Sequence, residues 1–403
     1  MEWSDAGIQI RPFLSVTIGI VALFVGRLLH GRFTKLRDWH IPEAVTGGLV
    51  FSLAIGAFYL ATKVPVSFDL TARDILLIYF FTTIGMNARL ADLRIGGRPL
   101  VVLLVATVLF IVLQNVTGMS VARLVGLQPA VGLIGGSVSQ IGGHGTAIAW
   151  APTFVAAGVP NALEIGIACA TFGLILASAL GGPVAKSVIE RYRLEPASHE
   201  KLAVGVEFTK EHQPMDALAF LHSILALHLS ALLGIAIDAG LTRAGLGLPL
   251  FVSCLFGGLI LSNLLPLVAP RVSWPSRSTA VALIAEVTLG VFLAMSLMSM
   301  QLWTLADLAL PVIAIVAAQG LVTYLFARYA LFFALGANYD AAVTAAGFVG
   351  YGLGATPTAI ANMTAVTKHH GPSPVAFLIV PLVAAVFIDL VNAIVLRTFL
   401  ARL

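Results

Sequence analysis

GLIGGSVSQIGGHGTAIAW, residues 132–150, and AAGFVGYGLGATPTAIANM, residues 345–363, decide how this chain is built. Both stretches are apolar overall, yet both are packed with glycine, serine and threonine. Glycine at this density opposes a continuous helix, at about 1 kcal/mol each relative to alanine. Irregular backbone at membrane depth survives only where protein buries it or water lines it. The pattern therefore predicts two re-entrant hairpins, near 130–157 and 340–368. Gly142, Gly143 and Gly145 form one tip, and Gly350, Gly352 and Gly354 form the other.

The rest of the chain is of the kind that surrounds such hairpins. Hydrophobic residues make up 59% of the 403 and charged residues only 10%, with a mean hydropathy of +0.98. Soluble domains carry roughly 25% charged residues, so this surface is not one that faces water. A transmembrane helix needs about 20 mostly apolar residues. Such runs recur near 12–30, 43–61, 74–90, 99–122 and 162–186, then near 217–239, 249–268, 283–301, 308–335 and 374–398. The formal charge of +4 is spread out and holds no basic run suited to nucleic acid. Cys169 and Cys254 each sit inside an apolar run, as packed helix residues rather than a disulfide or metal site. No cleavable leader is expected, since Glu2 and Asp5 stand where a basic segment would be needed.

Residues 190–216 are the one clearly polar stretch and read as a linker between halves 1–189 and 217–403. Shifting by 210 residues places Gly126, Gly142 and Thr146 on Gly336, Gly352 and Thr356, and Gln114 of the fourth span has a counterpart in Gln319 of the ninth. Five spans per half is an odd number, so the second copy is inverted, a recurring plan of secondary transporters. With the amino terminus outside, sixteen of the 23 lysines and arginines fall on the inner face and seven on the outer. By the positive-inside rule, both termini are then outside and the linker is cytoplasmic.

Hairpin tips suit a small anion and a cation together. Helix amino ends present free N–H groups to a carboxylate, while hydroxyls and unwound carbonyls replace the water around sodium. Ser137, Ser139, Gln140, Thr146, Thr356, Thr358 and Asn362 are side chains of the right type, and His144 is a neutral donor or a structural hydrogen-bond partner. Ionisable groups inside spans are functional candidates because burying them is costly. Asp389, with Asn392 close by on its helix, is a cation ligand on this reading, and Asn87 is a third candidate. Asp74, Glu286 and Glu164 open spans and read as helix caps. A membrane-embedded serine protease would pair Ser137 with His144, His222 or His228. No G-x-S-x-G elbow or H-E-x-x-H helix accompanies them, and the repeat would go unexplained. A passive channel explains the glycine hairpins but not the intramembrane Asp389.

At these motifs the chain resembles the sodium/glutamate symporters of bacterial inner membranes. IPEAVTGGL, FFTTIGMNARLADLRIGGR, GGHGTA, IACATFGLILASALGGPVA and LPLFVSCLFGGLILSN carry the likeness, followed by LGVFLAMSLM, GANYDAAVTAAG, GYGLGATPTAIANM and FIDLVNAIV. They cover nearly the whole chain in the family's order. Ala147 follows GGHGT where glycine is common, and FVGYGLG stands where a histidine often precedes the glycines. The resemblance implies an all-α polytopic elevator carrier, homodimeric in the inner membrane, taking up L-glutamate with sodium as the coupling ion and no other cofactor. A carrier of the same architecture for citrate or another dicarboxylate is the nearest alternative.

Overall fold

Apolar runs bounded by prolines and small polar residues become the helices of this chain. The computed structural model describes residues 2–4, 7–38, 41–89, 97–196, 217–244, 248–300 and 308–403. Apart from the five-residue turn of helix Thr34–Asp38, the helices are α1 (Pro12–Arg32), α2 (Glu43–Thr62) and α3 (Thr71–Asn87). Then come α4 (Gly97–Leu124), α5 (Pro129–Val138), α6 (Gly143–Ala156) and α7 (Ala162–Tyr192). After the linker come α8 (Ala217–Arg243), α9 (Leu250–Val268), α10 (Thr279–Met298) and α11 (Ala309–Ala334). The chain ends with α12 (Tyr339–Gly352), α13 (Thr356–His370), α14 (Pro374–Leu382) and α15 (Ile388–Leu400).

Eight of these are long and apolar enough to cross a membrane: α1, α2, α4 and α7 to α11. The two remaining expected spans differ in form. Helix α3 has 17 residues, and α14 and α15 are separated by a π-helical segment, Val383–Phe387. The expected span starting near 283 begins earlier, because Ser278 caps it by accepting from the Val281 N–H at 3.3 Å. Glu286 therefore lies two turns inside α10, exposed, and is not its cap. Asp74 is in the first turn of α3, paired with Arg73 at 2.5 Å. Glu164 is in the first turn of α7 and buried. The expected linker lies outside the described residues from 197 to 216; residues 190–192 still belong to α7. A feature beyond the all-helical expectation is a three-stranded sheet of Glu2–Ser4, Gly7–Ile10 and Val66–Phe68. Its first pair is antiparallel and its second parallel.

The chain forms two compact units, and each draws on both sequence halves: Met1–Ala88 with Gln213–Leu308, and Arg89–His212 with Ala309–Leu403. In the first unit, small residues bring helix backbones together. A Cβ on Gly26 of α1 would stand 1.9 Å from the Glu43 carbonyl oxygen, and one on Gly47 of α2 would stand 1.7 Å from that of Ala22. Such contact replaces the hydrophobic drive that lipid cannot supply between helices. In the second unit, Phe110, Phe326 and Phe348 pack with ring centroids 4.8–5.5 Å apart. They sit in a buried apolar cluster that reaches from Leu100 to Ile388 and supports both glycine-rich stretches.

Candidate functional site

Both glycine-rich stretches fold as helical hairpins of the second unit. In the first, α5 breaks at Gly136, whose φ of −90° and ψ of −129° are not helical. The chain then bends through Ser139–Gly142 and restarts as α6 at Gly143, φ +66°. In the second, α12 ends at Gly352, the chain turns through Leu353–Ala355, and α13 restarts with proline in its first turn. That proline is preorganised for helix entry and lacks an N–H that would go unused there. The tips touch: a Cβ on Gly143 would lie 3.4 Å from the Gly354 carbonyl oxygen. Gly350 is required for packing within the second hairpin, since a Cβ there would come within 2.4 Å of the Ala359 Cα. A Cβ on Gly352 meets only ordinary contacts, with Phe110 at 3.4 Å and Thr323 at 3.7 Å.

The break at Gly136 disturbs the helical pairing around Ser137, and buried backbone polar groups must be satisfied. Side chains do it. Asn115 of α4 accepts the Ser137 N–H on Oδ1 at 3.1 Å. Asn392 of α15 donates from Nδ2 to the Ser137 carbonyl at 3.0 Å. One turn before Asn392, the half-buried Asp389 accepts the Thr146 hydroxyl at 3.3 Å. Asp389 and Asn392 are thus brought to Ser137 and Thr146 of the first hairpin. Asn87 belongs to the other unit, where its Oδ1 accepts the Arg277 N–H at 2.7 Å.

The remaining candidates divide into committed and unpartnered groups. His144 is buried and its Nε2 lies 3.0 Å from the Thr171 hydroxyl. That hydroxyl donates to the Ile167 carbonyl, so the imidazole donates to it. Ser137 Oγ has no hydrogen-bond partner, so the Ser137–His144 pairing that an activated serine needs is not formed. Asn362 donates to the carbonyls of Ala177 and Ala346 and clamps α13 to α7 and α12. Gln140 donates to the Cys169 carbonyl at 3.2 Å. Thr356 is half-buried at the start of α13.

Among the described residues, eight buried side-chain atoms have no partner, and all lie in this unit. One is an amide nitrogen, Asn115 Nδ2, which can only donate. The other seven are oxygens: Oγ of Ser137 and Ser139, Oγ1 of Thr358, Oδ1 of Asn392, and Oε1 of Gln114, Gln140 and Gln319. Flipping the amides does not help. In Gln114, Gln140, Gln319 and Asn392 the amide nitrogen already faces a backbone carbonyl, which accepts only a donor. A buried oxygen surplus beside a carboxylate is the chemistry of a hard-cation site. The first N–H groups of α6 and α13, with no side-chain cap on either, suit an anion.

Asn115, Gln114 and Gln319, with Thr171 beside His144, are polar residues at the hairpins beyond the sequence candidates. The signal for the three amides was present: a Gln–Asn pair midway through the 28-residue apolar α4, and a glutamine at the matching place in α11.

Comparison with known proteins bears on the family. The sodium/glutamate symporter family model matches residues 8–372. The sodium/glutamate symporter of Escherichia coli (strain K12) is 42% identical over 387 residues, covering 94% of this chain and 95% of that protein. The sodium/glutamate symporter of Haemophilus influenzae is 38% identical over 392 residues, with 96% of each chain covered. Among solved structures, the sodium proton antiporter MjNhaP1 from Methanocaldococcus jannaschii covers 96% of this chain and 97% of its own, at 16% identity and a TM-score of 0.45. On the family match and the two close relatives, the chain belongs to the sodium/glutamate symporter family.

Proposed function

We propose that this protein is a secondary active transporter that imports L-glutamate together with sodium. The observation that carries the reading is the oxygen surplus around the broken first hairpin, beside the Asp389 carboxylate. Sodium takes Asp389, Asn392 Oδ1 and the Ser137 and Thr146 hydroxyls; Asn87 is a separate cation candidate within the other unit. Glutamate carboxylates take the amino ends of α6 and α13, with Gly142 to Gly145 and Gly350 to Gly354 allowing backbone approach. Ser139, Gln140, Thr356 and Thr358 contribute polar side chains there, while His144 and Asn362 hold the walls. Family membership supports both cargoes, because both named relatives are sodium/glutamate symporters.

The cycle is alternating access of the elevator type, in which the hairpin-bearing unit carries the cargo. The halves 1–189 and 217–403 are inverted repeats, the protein is a homodimer of the bacterial inner membrane, and both termini face outside. The test is uptake of labelled glutamate into proteoliposomes with and without an inward sodium gradient. Uptake should rise with the gradient and be competed by glutamate far better than by citrate or other dicarboxylates. Uptake indifferent to the gradient, or citrate competing better than glutamate, overturns the proposal.

A further inference from the structure

Gln114 and Asn115 are neighbours on α4, both fully buried, and each is bonded to a different hairpin. Asn115 Oδ1 holds the Ser137 N–H at the break of the first. Gln114 Nε2 donates to the carbonyl of Gly352, the last residue of α12, at 2.7 Å. Helix-end carbonyls have no partner within their own helix, so this bond satisfies the buried carbonyl end of α12. Gln319, from α11, donates in turn to the Gln114 backbone carbonyl at 2.8 Å and fixes the peptide that carries the pair.

We infer that the Gln114–Asn115 pair is the positioning element through which cation binding at the first hairpin is felt at the second. The path is contiguous. A cation at Asp389 and Asn392 acts on Ser137, whose carbonyl Asn392 holds and whose N–H Asn115 holds. The next residue along α4 holds Gly352 beside the other tip. A purely structural strut would use every polar atom, because an unsatisfied buried amide costs free energy. Here Gln114 Oε1, Gln319 Oε1 and Asn115 Nδ2 are all unpartnered. That leaves both a spare donor and spare acceptors, so the network can exchange partners when a hairpin shifts. Coupling of this kind is reciprocal: sodium raises glutamate affinity by the factor by which glutamate raises sodium affinity.

The inference rests on the sodium-coupled reading, and the experiment separates the two. Glutamate affinity of the purified full-length protein is measured by calorimetry across a series of sodium concentrations. The ratio of Kd without sodium to Kd at saturating sodium is the coupling factor. Gln114→Met keeps side-chain length and removes the bond to Gly352; it should lower that factor about tenfold, about 1.4 kcal/mol of coupling. Sodium alone should still raise its melting temperature, because the Asp389 site is untouched. Gln319→Met, which releases the Gln114 peptide, should lower the factor in the same direction and serves if the first variant does not fold. An undiminished factor in either folded variant overturns the inference. A wild-type protein whose glutamate affinity ignores sodium overturns it along with the function itself, and that failure appears before any variant is made.

Discussion

Ser137 shows how a residue with no charge comes to organise a site. Gly136 departs from helical geometry, and amides from α4 and α15 take up the neighbouring Ser137 N–H and carbonyl. Asp389→Asn tests the cation role one turn from Asn392. Losing a carboxylate ligand should raise the sodium needed for half-maximal uptake about tenfold, or about 1.4 kcal/mol. A purely packing role predicts instead a lower melting temperature with an unmoved sodium curve. Gly143 and Gly352 make a second contrast. Alanine at Gly143 must adopt φ +66°, which costs about 1–2 kcal/mol, and it points at the opposite tip. Gly143→Ala should lose transport while still inserting, whereas Gly352→Ala, whose Cβ turns toward Phe110, Thr323 and Phe348 rather than the opposite tip, should keep most of it; equal uptake by the two variants would contradict this. Sequence alone ranked these glycines together, because it does not reveal which one has a positive φ. It also passed over Asn115, whose role depends on which peptide the break disturbs.

At the level of elements, the glycine density of both hairpins was legible, because it is a local violation of helix propensity. Helix starts were less so. Glu286 looked like a cap because it is the charge nearest an apolar run, but the hydroxyl of Ser278 meets the free Val281 N–H. Helix α3 has a comparable device in Asp69, whose Oδ1 accepts the Thr71 N–H at 2.9 Å. Hydrogen bonds from the Thr71 backbone and then its hydroxyl hold the Asp69 carboxyl below the usual carboxylate range. The sign follows: a lowered pKa stabilises the fold above the ordinary carboxylate pKa, and that contribution is lost as pH falls through the lowered one. Asp69→Ala should therefore melt below wild type at neutral pH, and the two curves should converge in acid. A gap that is constant with pH would mean Asp69 acts by packing alone.

For the whole molecule, charge asymmetry supplies the orientation expected from sequence. Both native cysteines are buried, so an impermeant thiol reagent should see only introduced ones. Arg402→Cys should label in intact cells, and Ser198→Cys only after permeabilisation; the reverse pattern would invert the topology. The two-unit division was not legible, since hydropathy reports where helices occur and not which ones pack together. That division also governs biosynthesis. Residues 1–88 belong with 213–308, and residues 89–212 belong with 309–403. Elongation at roughly 5–20 residues per second therefore leaves α1 to α3 in the bilayer for many seconds before α8 to α10 emerge. The hairpin that ends in α6 waits longer still, until α15 brings Asp389 and Asn392. Neither unit is complete on the ribosome until the chain is well into its second half, so the newborn carrier needs an insertase or other protein, not lipid, to shelter the broken backbone of its first hairpin meanwhile.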